Sequence, residues 1–380
     1  MSILFSSSQG WVISHEKYIK CIYNNVVLTD IKKTVSLSYL QNLFCIINPF
    51  IYNDQISKIY RNEHTVKQSR KKKKLAFNRC LGVTNSEEVY CINEIFNKII
   101  QCAKKFNFLN FNKTEQYNNN ADAREISERF FKNLSSYKNA SSSGSNTNDY
   151  AIATNCFDDL IIFPANSIFY CCDVKELFNK LESNRTFDFI LMDPPWWNKY
   201  IRRKNLKNVA EGYKMMYNHE LKELPIKSFL CNDGLLAIWC TNSSSHVNDV
   251  INILFPNWGI EYCATWYWMK VTKSGEPVCN FSKPPGKQPY ERIIFGSRSG
   301  RTQKYRQPEE KKVIISVPSA IHSHKPPLIE VLASYLPTHP ACLELFARYL
   351  LPNWTSCGNQ VMCLQNMDLF TQESTSLEPS

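Results

Sequence analysis

The chain has 380 residues, 43% of them hydrophobic and 21% charged, with a net charge of +11. That length predicts two or possibly three domains with a sizeable core, and the composition excludes a largely unfolded chain. The positive balance favours a polyanionic partner over an acidic small molecule.

In chain order, the first 110 or so residues hold short apolar segments, among them "LQNLFCIINPFIY" (Leu40–Tyr52). The charge is concentrated just beyond: Lys58–Arg79 carries nine Lys or Arg against one acid, Glu63. Within it, "KQSRKKKK" (Lys67–Lys74) is dense and non-periodic, which reads as a nuclear import signal or a phosphate-binding arm. "YCINEIFNKIIQCAKKF" (Tyr90–Phe106) has helical spacing that places Ile92, Ile95, Phe96, Ile99 and Cys102 on one face. From Tyr117 to Tyr150 the composition shifts to Asn and Ser. A helix is expected around Ala123–Leu134 and a flexible linker after it, because such a segment buries too little apolar surface to order itself. The expected divisions are an N-terminal accessory domain over 1–115 with its basic cluster at 67–74, an Asn/Ser-rich linker over 116–150, and a larger domain over 151–380.

After Ala151, apolar runs alternate with polar or helical segments. "SIFYCCDV", "FDFILMD", "GLLAIWCT", "EYCATWYWMK", "YERIIFGS", "KVIISVP", "CLELFA" and "QVMCLQ" read as strands. "KPPLIEVLASYL" (Lys325–Leu336) reads as a helix opened by two prolines, with Leu328, Val331, Leu332 and Tyr335 on one face. This alternation predicts an α/β sheet with helices on both faces. Ligands of such sheets bind beyond the carboxyl ends of the strands, which is where Asp193 falls.

Fifteen cysteines do not make a disulfide scaffold here, because the count is odd, the chain is long and no C-x-x-C pair occurs. The opening "MSILFSS" lacks the basic and apolar regions of a signal peptide, and no apolar run approaches the roughly 20 residues of a membrane span. An intracellular protein with reduced thiols is the expectation. No dinucleotide or phosphate-loop glycine pattern occurs, and His322 with His324 lacks a third metal ligand. No metal is expected.

The chemistry concentrates in "FDFILMDPPWWNKYIRRKNLK" (Phe187–Lys207). Asp193 supplies a carboxylate at a strand end, and Pro194 and Pro195 stiffen a turn whose carbonyls meet no proline N–H. Trp196 offers a flat face. An acceptor pair beside an aromatic platform suits a planar group with an exocyclic amine, such as adenine.

"DPPW" (Asp193–Trp196) resembles the catalytic motif of the adenine N6-methyltransferases of the MT-A type, the family that contains the catalytic subunit of the messenger RNA m6A writer. Downstream, "HSHKPP" (His322–Pro327) resembles the family's Ser-His-Lys-Pro segment. "ELFAR" (Glu344–Arg348) with "PNWTSCGNQ" (Pro352–Gln360) resembles its cofactor-binding end. The likeness covers about 165–365, and the wording "DPPWWNK", "IHSHKPPL" and "ELFAR…WTSCGN" is closest to one branch of the family.

The resemblance implies a Rossmann-like class I S-adenosylmethionine-dependent fold with permuted (β-class) motif order. It also implies methyl transfer to the N6 of adenine, most specifically to the internal 2′-O-methyladenosine of U2 snRNA, giving m6Am. DNA N6-adenine methylation is the alternative. By the same resemblance, Asp193, Pro194, Pro195 and Trp196 are catalytic, and Cys172, Asp173, Val174, Asp193, Lys325, Arg348, Asn359 and Gln360 meet the cofactor. Lys325, placed before a helix N-terminus, suits the methionine carboxylate. Trp196, Asn198, Lys199, Arg202, Arg203, Lys204, Glu291, Ser323 and His324 face the nucleic acid, the cations as phosphate contacts. The enzyme would act without an obligate partner subunit.

Tyr349-Leu350-Leu351 depart from the family, which has a longer polar stretch there, so no cofactor contact is assigned to them; Trp197 also has no assigned role. A catalytically silent RNA-binding subunit would lack the acid and the lysine, and both Asp193 and Lys325 are present. A protein-glutamine methyltransferase would have Asn before Pro-Pro and Tyr after.

Overall fold

The structure is a computed structural model. It describes residues 2–50, 86–109, 125–129, 142–156, 159–182, 184–197, 216–284, 286–300, 302 and 304–373. The strands in chain order are β1 (Ile3–Ser7), β2 (Gly10–Ile13), β3 (Val26–Leu28), β4 (Lys33–Val35), β5 (Leu37–Tyr39), β6 (Ser142–Asn146), β7 (Ala151–Cys156), β8 (Asp159–Phe163) and β9 (Ser167–Cys171). They continue with β10 (Phe187–Met192), β11 (Leu230–Cys240), β12 (Ile260–Lys270), β13 (Tyr290–Arg298), β14 (Val313–Ser316), β15 (Cys342–Leu345), β16 (Trp354–Cys357) and β17 (Phe370–Gln372). The helices used below are α1 (His15–Ile22), α2 (Ser86–Lys105), α3 (Val174–Lys180), α4 (Asn218–Lys222), α5 (Ile226–Phe229) and α6 (Ser244–Asp249).

One eleven-stranded mixed sheet dominates, in the order β1-β2-β14-β12-β13-β11-β10-β15-β16-β9-β6. Strands β11, β10, β15, β16 and β9 run parallel to one another. Both faces of this stretch are covered, which is why β10 reads as a continuous apolar run. Phe189 and Leu191 enter the core on one face, and Ile190 and Met192 enter the core on the other. The chain leaves β10 for β11 on one side while β15 pairs on the other, so a switch in strand direction of travel falls at the carboxyl end of β10.

The first residues of the chain join the main sheet. β1 and β2, from the first 13 residues, extend the main sheet through β14. Gly10 permits this approach: its φ is +152°, and a Cβ there would lie 1.9 Å from the Val313 carbonyl oxygen. α2 packs Ile92, Ile95, Phe96, Ile99, Ile100 and Ala103 against Val12, Tyr267, Met269, Val313 and Ile315. Cys102, expected on that face, is exposed, and Ala103 takes its place. The described N-terminal segments therefore build the same body as the later strands.

The Ser/Asn-rich end of the expected linker is also structured in part. Ser142–Asn146 forms β6, an antiparallel edge strand on β9, because backbone hydrogen bonds need no apolar side chain. Of the helix expected around 123–134, the described residues 125–129 are helical. The basic cluster at 67–74 lies outside the described residues.

Seven of the eight expected strands are present. "QVMCLQ" instead coils through turns, and the ladder position belongs to Trp354–Cys357 just before it. "KPPLIEVLASYL" buries Leu328, Val331, Leu332 and Tyr335 on one side as expected, yet it turns repeatedly and never forms a continuous helix. Its hydrogen bonds mix reaches of three and four residues, Leu332 N to Leu328 O and Tyr335 N to Leu332 O.

Candidate active site

Four adjacent parallel strands, β10, β15, β16 and β9, end at one edge of the sheet. Residues expected at the cofactor follow those ends: Asp193 after β10, Arg348 after β15, Asn359 and Gln360 after β16, and Cys172, Asp173 and Val174 after β9. The topology thus brings to one sheet edge residues separated by more than 180 positions in the chain.

At its centre, Lys325 Nζ donates to Asp193 Oδ2 at 3.0 Å and lies 3.2 Å from Glu291 Oε2. Lys270 also bonds to Glu291. The two ammonium groups balance the two carboxylates, and the side chains are 11% exposed at Lys325, 19% at Asp193 and 31% at Glu291. The half-buried setting divides the acids. Burial raises the Asp193 carboxyl above its ordinary value, with Lys325 opposing and Glu291 adding to the rise. At Glu291 burial again raises, but the ammonium groups of Lys270 and Lys325 outweigh it and hold the acid well below the carboxylate range. Burial lowers the Lys325 ammonium, and Asp193 and Glu291 more than reverse this, so it stays charged. Of the two acids, Asp193 is the one that takes up a proton more readily.

The Pro-Pro turn is fixed by more donors than its prolines suggest. Trp196 N donates to Pro194 O at 2.8 Å and Met216 N to Pro195 O at 3.1 Å. The expectation of carbonyls free of donors is therefore corrected, although each carbonyl keeps a second lone pair. Trp196 is 6% exposed and sits in the core with Met216, Cys240 and Val247, so its indole is not the open platform expected. Its Nε1 donates to Trp239 O at 2.8 Å, and its ring is stacked on His246, with centroids 5.1 Å apart and planes at 22°.

Other expected positions have specific local roles. Asp173 caps α3, its Oδ1 accepting from Lys175 N at 3.0 Å, and this leaves its other oxygen for a ligand. The Cys172 and Cys357 sulfurs lie 3.9 Å apart, and the hydrogen bond from Cys357 lowers the Cys172 thiol to about 7. Val174 is buried. Arg348 Nη1 donates to His322 O at 3.2 Å, and its charge reaches Asp193. Lys325 does not precede a helix, so the expected helix N-terminus for a carboxylate is missing. Its ammonium spends two donors on Asp193 and Glu291 and keeps a third.

Ser323 sits at a positive φ of 63°, its hydroxyl bonded to His322 Nδ1 at 2.7 Å. His324 is corrected outright: it is 2% exposed, packed among His15, Tyr39 and Tyr349, and is walled off from any nucleic acid. Asn198, Lys199, Arg202, Arg203 and Lys204 lie outside the described residues.

Several site residues escaped the sequence. Lys270 ends β12 as the last residue of "WYWMK", a cation at a strand end that pattern alone does not aim. His246 follows β11 across a Ser-rich stretch. Glu344 was visible as a lone acid between leucines in "CLELFA". It is buried, its Oε2 has no partner among the described residues, and burial with the charge of Asp193 pushes its carboxyl up to about 8.

The donor set fits a nucleoside-bearing methyl donor. An exposed amide at Asn359, a half-buried one at Gln360, the spare oxygen of Asp173 and the third ammonium donor of Lys325 all face one sheet edge. Among the described residues no group of three or more His, Cys, Asp or Glu is placed to hold a metal ion.

These features define a class. Residues 187–360 match the MT-A70 family, a span that runs from β10 and its Asp-Pro-Pro-Trp turn to the end of the β16 crevice. Through this stretch the chain is similar to the MT-A70 family, whose methyltransferases use S-adenosylmethionine. The chain is similar to the N(6)-adenine-specific methyltransferase METTL4 of Mus musculus, 39% identical over 217 residues that cover 55% of this chain and 45% of that protein. That is methyltransferase-like protein 4, the branch whose motif wording this chain resembles. It is also 35% identical over 210 residues to the DNA N6-methyl methyltransferase of Caenorhabditis elegans, covering 55% of each. It is 35% identical over 188 residues to the N6-methyladenosine RNA methyltransferase MTA1 of Cryphonectria parasitica, covering 49% of this chain and 55% of that one. The chain spans about half the length of these curated relatives.

Proposed function

We propose that the protein is an S-adenosylmethionine-dependent adenine N6-methyltransferase acting on RNA, with the internal 2′-O-methyladenosine of U2 snRNA as its target. One observation carries the chemistry: the Asp193 carboxylate has Oδ2 tied to Lys325, and no described residue bonds its Oδ1. An N6 amine is a poor nucleophile because its lone pair is conjugated into the ring. Asp193 Oδ1 and the spare lone pair of Pro194 O each accept one of its N–H groups and turn the lone pair out of the plane. The bound cofactor supplies an electrophilic methyl group. The protein contributes position and pre-oriented acceptors, with no covalent intermediate. As the N6–carbon bond forms, the methyl–sulfur bond would break and an N6 proton would leave along the N–H that Asp193 Oδ1 accepts, while Glu291, paired with Lys270 and Lys325, stays ionised.

On this reading Cys172, Asp173, Val174, Arg348, Asn359 and Gln360 hold the adenosine part of the cofactor, and Lys325 its carboxylate. The motif order, with Asp-Pro-Pro-Trp before "ELFAR", is the permuted one. Asn198, Lys199, Arg202, Arg203 and Lys204 bind phosphate. The cluster Lys67–Lys74 directs the protein to the nucleus, and the enzyme works without an obligate partner.

The printed names of the relatives divide between RNA and DNA, which keeps DNA N6-methyladenine as a second reading. Matched adenine-containing RNA and DNA oligonucleotides with a labelled methyl donor separate the two. The proposal expects label in RNA, and most in an oligonucleotide carrying 2′-O-methyladenosine. Preferential labelling of the DNA member would overturn it.

A further inference from the structure

The aromatic face offered at the Asp-Pro-Pro-Trp turn belongs to a histidine that no motif names. Trp196 is 6% exposed, and its indole is held at one edge by the Nε1 bond to Trp239 O and covered on a face by the His246 imidazole. His246 is itself fixed. It lies on α6, three residues beyond the cap Ser243, and its Nδ1 is 2.8 Å from Thr241 Oγ1, just past the end of β11. β11 is the parallel neighbour of β10, so Thr241 and His246 stand at the same sheet edge as Asp193. The imidazole is half-buried, with one face against Trp196, whereas the indole beneath it is sealed. Burial lowers its pKa, with Asp249 opposing, so the ring is neutral near pH 7 and costs little to cover with a base.

We propose that His246 is the stacking residue for the target base: the adenine lies on the outer face of a Trp196–His246 pair, with the indole serving as the rigid backing. This rests on the adenine methyltransferase reading of the site and assigns the base platform within it. The arrangement explains why an aromatic needed at the site is locked by a hydrogen bond and buried. Trp196 sets the plane of the imidazole, and Thr241 sets its rotation about that plane.

The test uses the full-length protein and three variants, His246→Ala, His246→Asn and His246→Phe. Asn keeps a polar atom for Thr241 but has no ring, and Phe keeps a flat ring but no nitrogen. With an adenine-containing RNA oligonucleotide, Ala and Asn are expected to raise KM or Kd roughly ten- to hundredfold, the scale of one lost base–aromatic stack. Phe is expected to recover most of that loss. Wild-type KM in the Ala and Asn variants would overturn the proposal. So would a Phe variant as impaired as Ala while its melting temperature matches wild type, because the role would then be polar.

A second readout is independent of methyl transfer. An RNA oligonucleotide with 2-aminopurine in place of the target adenine is expected to lose fluorescence on binding wild type and His246→Phe, and to keep it with Ala and Asn. Equal quenching by all four proteins would overturn the stacking assignment. A wild type that binds and quenches the probe but methylates no adenine oligonucleotide would instead count against the function proposed above.

Discussion

Glu291 and Arg292 are neighbours on β13, and they serve two charge clusters of opposite design. Strand alternation sends them to opposite faces of the sheet. Arg292 is 1% exposed and pairs with Glu88 of α2 through Nη1 at 2.6 Å and Nη2 at 2.9 Å, with Tyr267 bonded to the same carboxylate. Glu291 looks into the crevice, where Lys325 bridges it to Asp193 and where Asp193 keeps an oxygen without a described partner. The first cluster is bidentate and largely buried, which fastens a helix to a sheet. The second is balanced in charge but open in hydrogen bonding, which suits a site awaiting a ligand. What separates a structural ion pair from a functional one here is therefore the unspent acceptor at Asp193, since both clusters contain buried charge.

The largest effects should come from breaking each cluster in turn, and they should differ in kind. Glu88→Gln removes the charge facing a fully buried guanidinium, and leaving such a charge unpaired costs about 3–5 kcal/mol. Denaturant unfolding should register that loss, while activity per folded molecule stays near wild type. Asp193→Ala should do the reverse. Removing one pre-oriented acceptor costs on the order of 10²–10³ in kcat. Because Glu291 still faces Lys325 in that variant, the melting temperature should fall less than in Glu88→Gln. If Asp193→Ala kept methyl transfer to adenine, the acceptor mechanism would be wrong.

How much of this contrast the sequence carried depends on the distance over which it is encoded. The carboxylate at the end of β10 was legible because an apolar run, an acid and two prolines are contiguous. The glutamate in "PYERIIFG" was legible only by likeness to the family, and its bond to Lys270 was not, since that pairing spans two strands. The helical face of α2 was readable from its period, but the acid Glu88 in its first turn gave no sign of a partner 204 positions away. Trp196 misled for a related reason. Its chemistry suggests an exposed platform, while its burial is decided by Met216 and Val247, which the local pattern does not contain. The Lys325–Leu336 segment shows that a helical burial pattern can be met by successive turns.

A third acid sharpens the comparison further. Glu344 lies on the same face of the sheet as Asp193, is buried, and among the described residues has neither a cation at bonding distance nor a partner for Oε2. Its folded-state carboxyl is raised to about 8, from a value of 4.5 without the fold. Between those values the native state holds a proton that the unfolded chain has released. The stabilisation is therefore complete below pH 4.5 and is lost as pH rises through about 8, at about 1.4 kcal/mol per pH unit for one full proton. Glu344→Gln keeps the neutral shape and removes the titration. Unfolding measured at pH 5.5, 7 and 8.5 should show a shallower fall in the variant than in wild type. Parallel curves would mean that Glu344 is not the neutral member of the crevice.

The smallest predicted change isolates the backing of the site from its chemistry. Trp196→Phe keeps an aromatic ring but deletes Nε1, which leaves the buried Trp239 carbonyl without that donor. A net loss of about 1 kcal/mol in stability is expected for one such bond. If the indole serves only as core, activity should follow stability and little more. If it sets the plane of His246, kcat should fall further than folding does, because the ring facing the base is free to tilt while Asp193 and Lys325 are untouched. Measuring kcat at a temperature where the variant is fully folded separates the two outcomes. A kcat equal to wild type there would reduce Trp196 to packing and leave Asp193 and the Pro194 carbonyl as the turn's only contributions to chemistry.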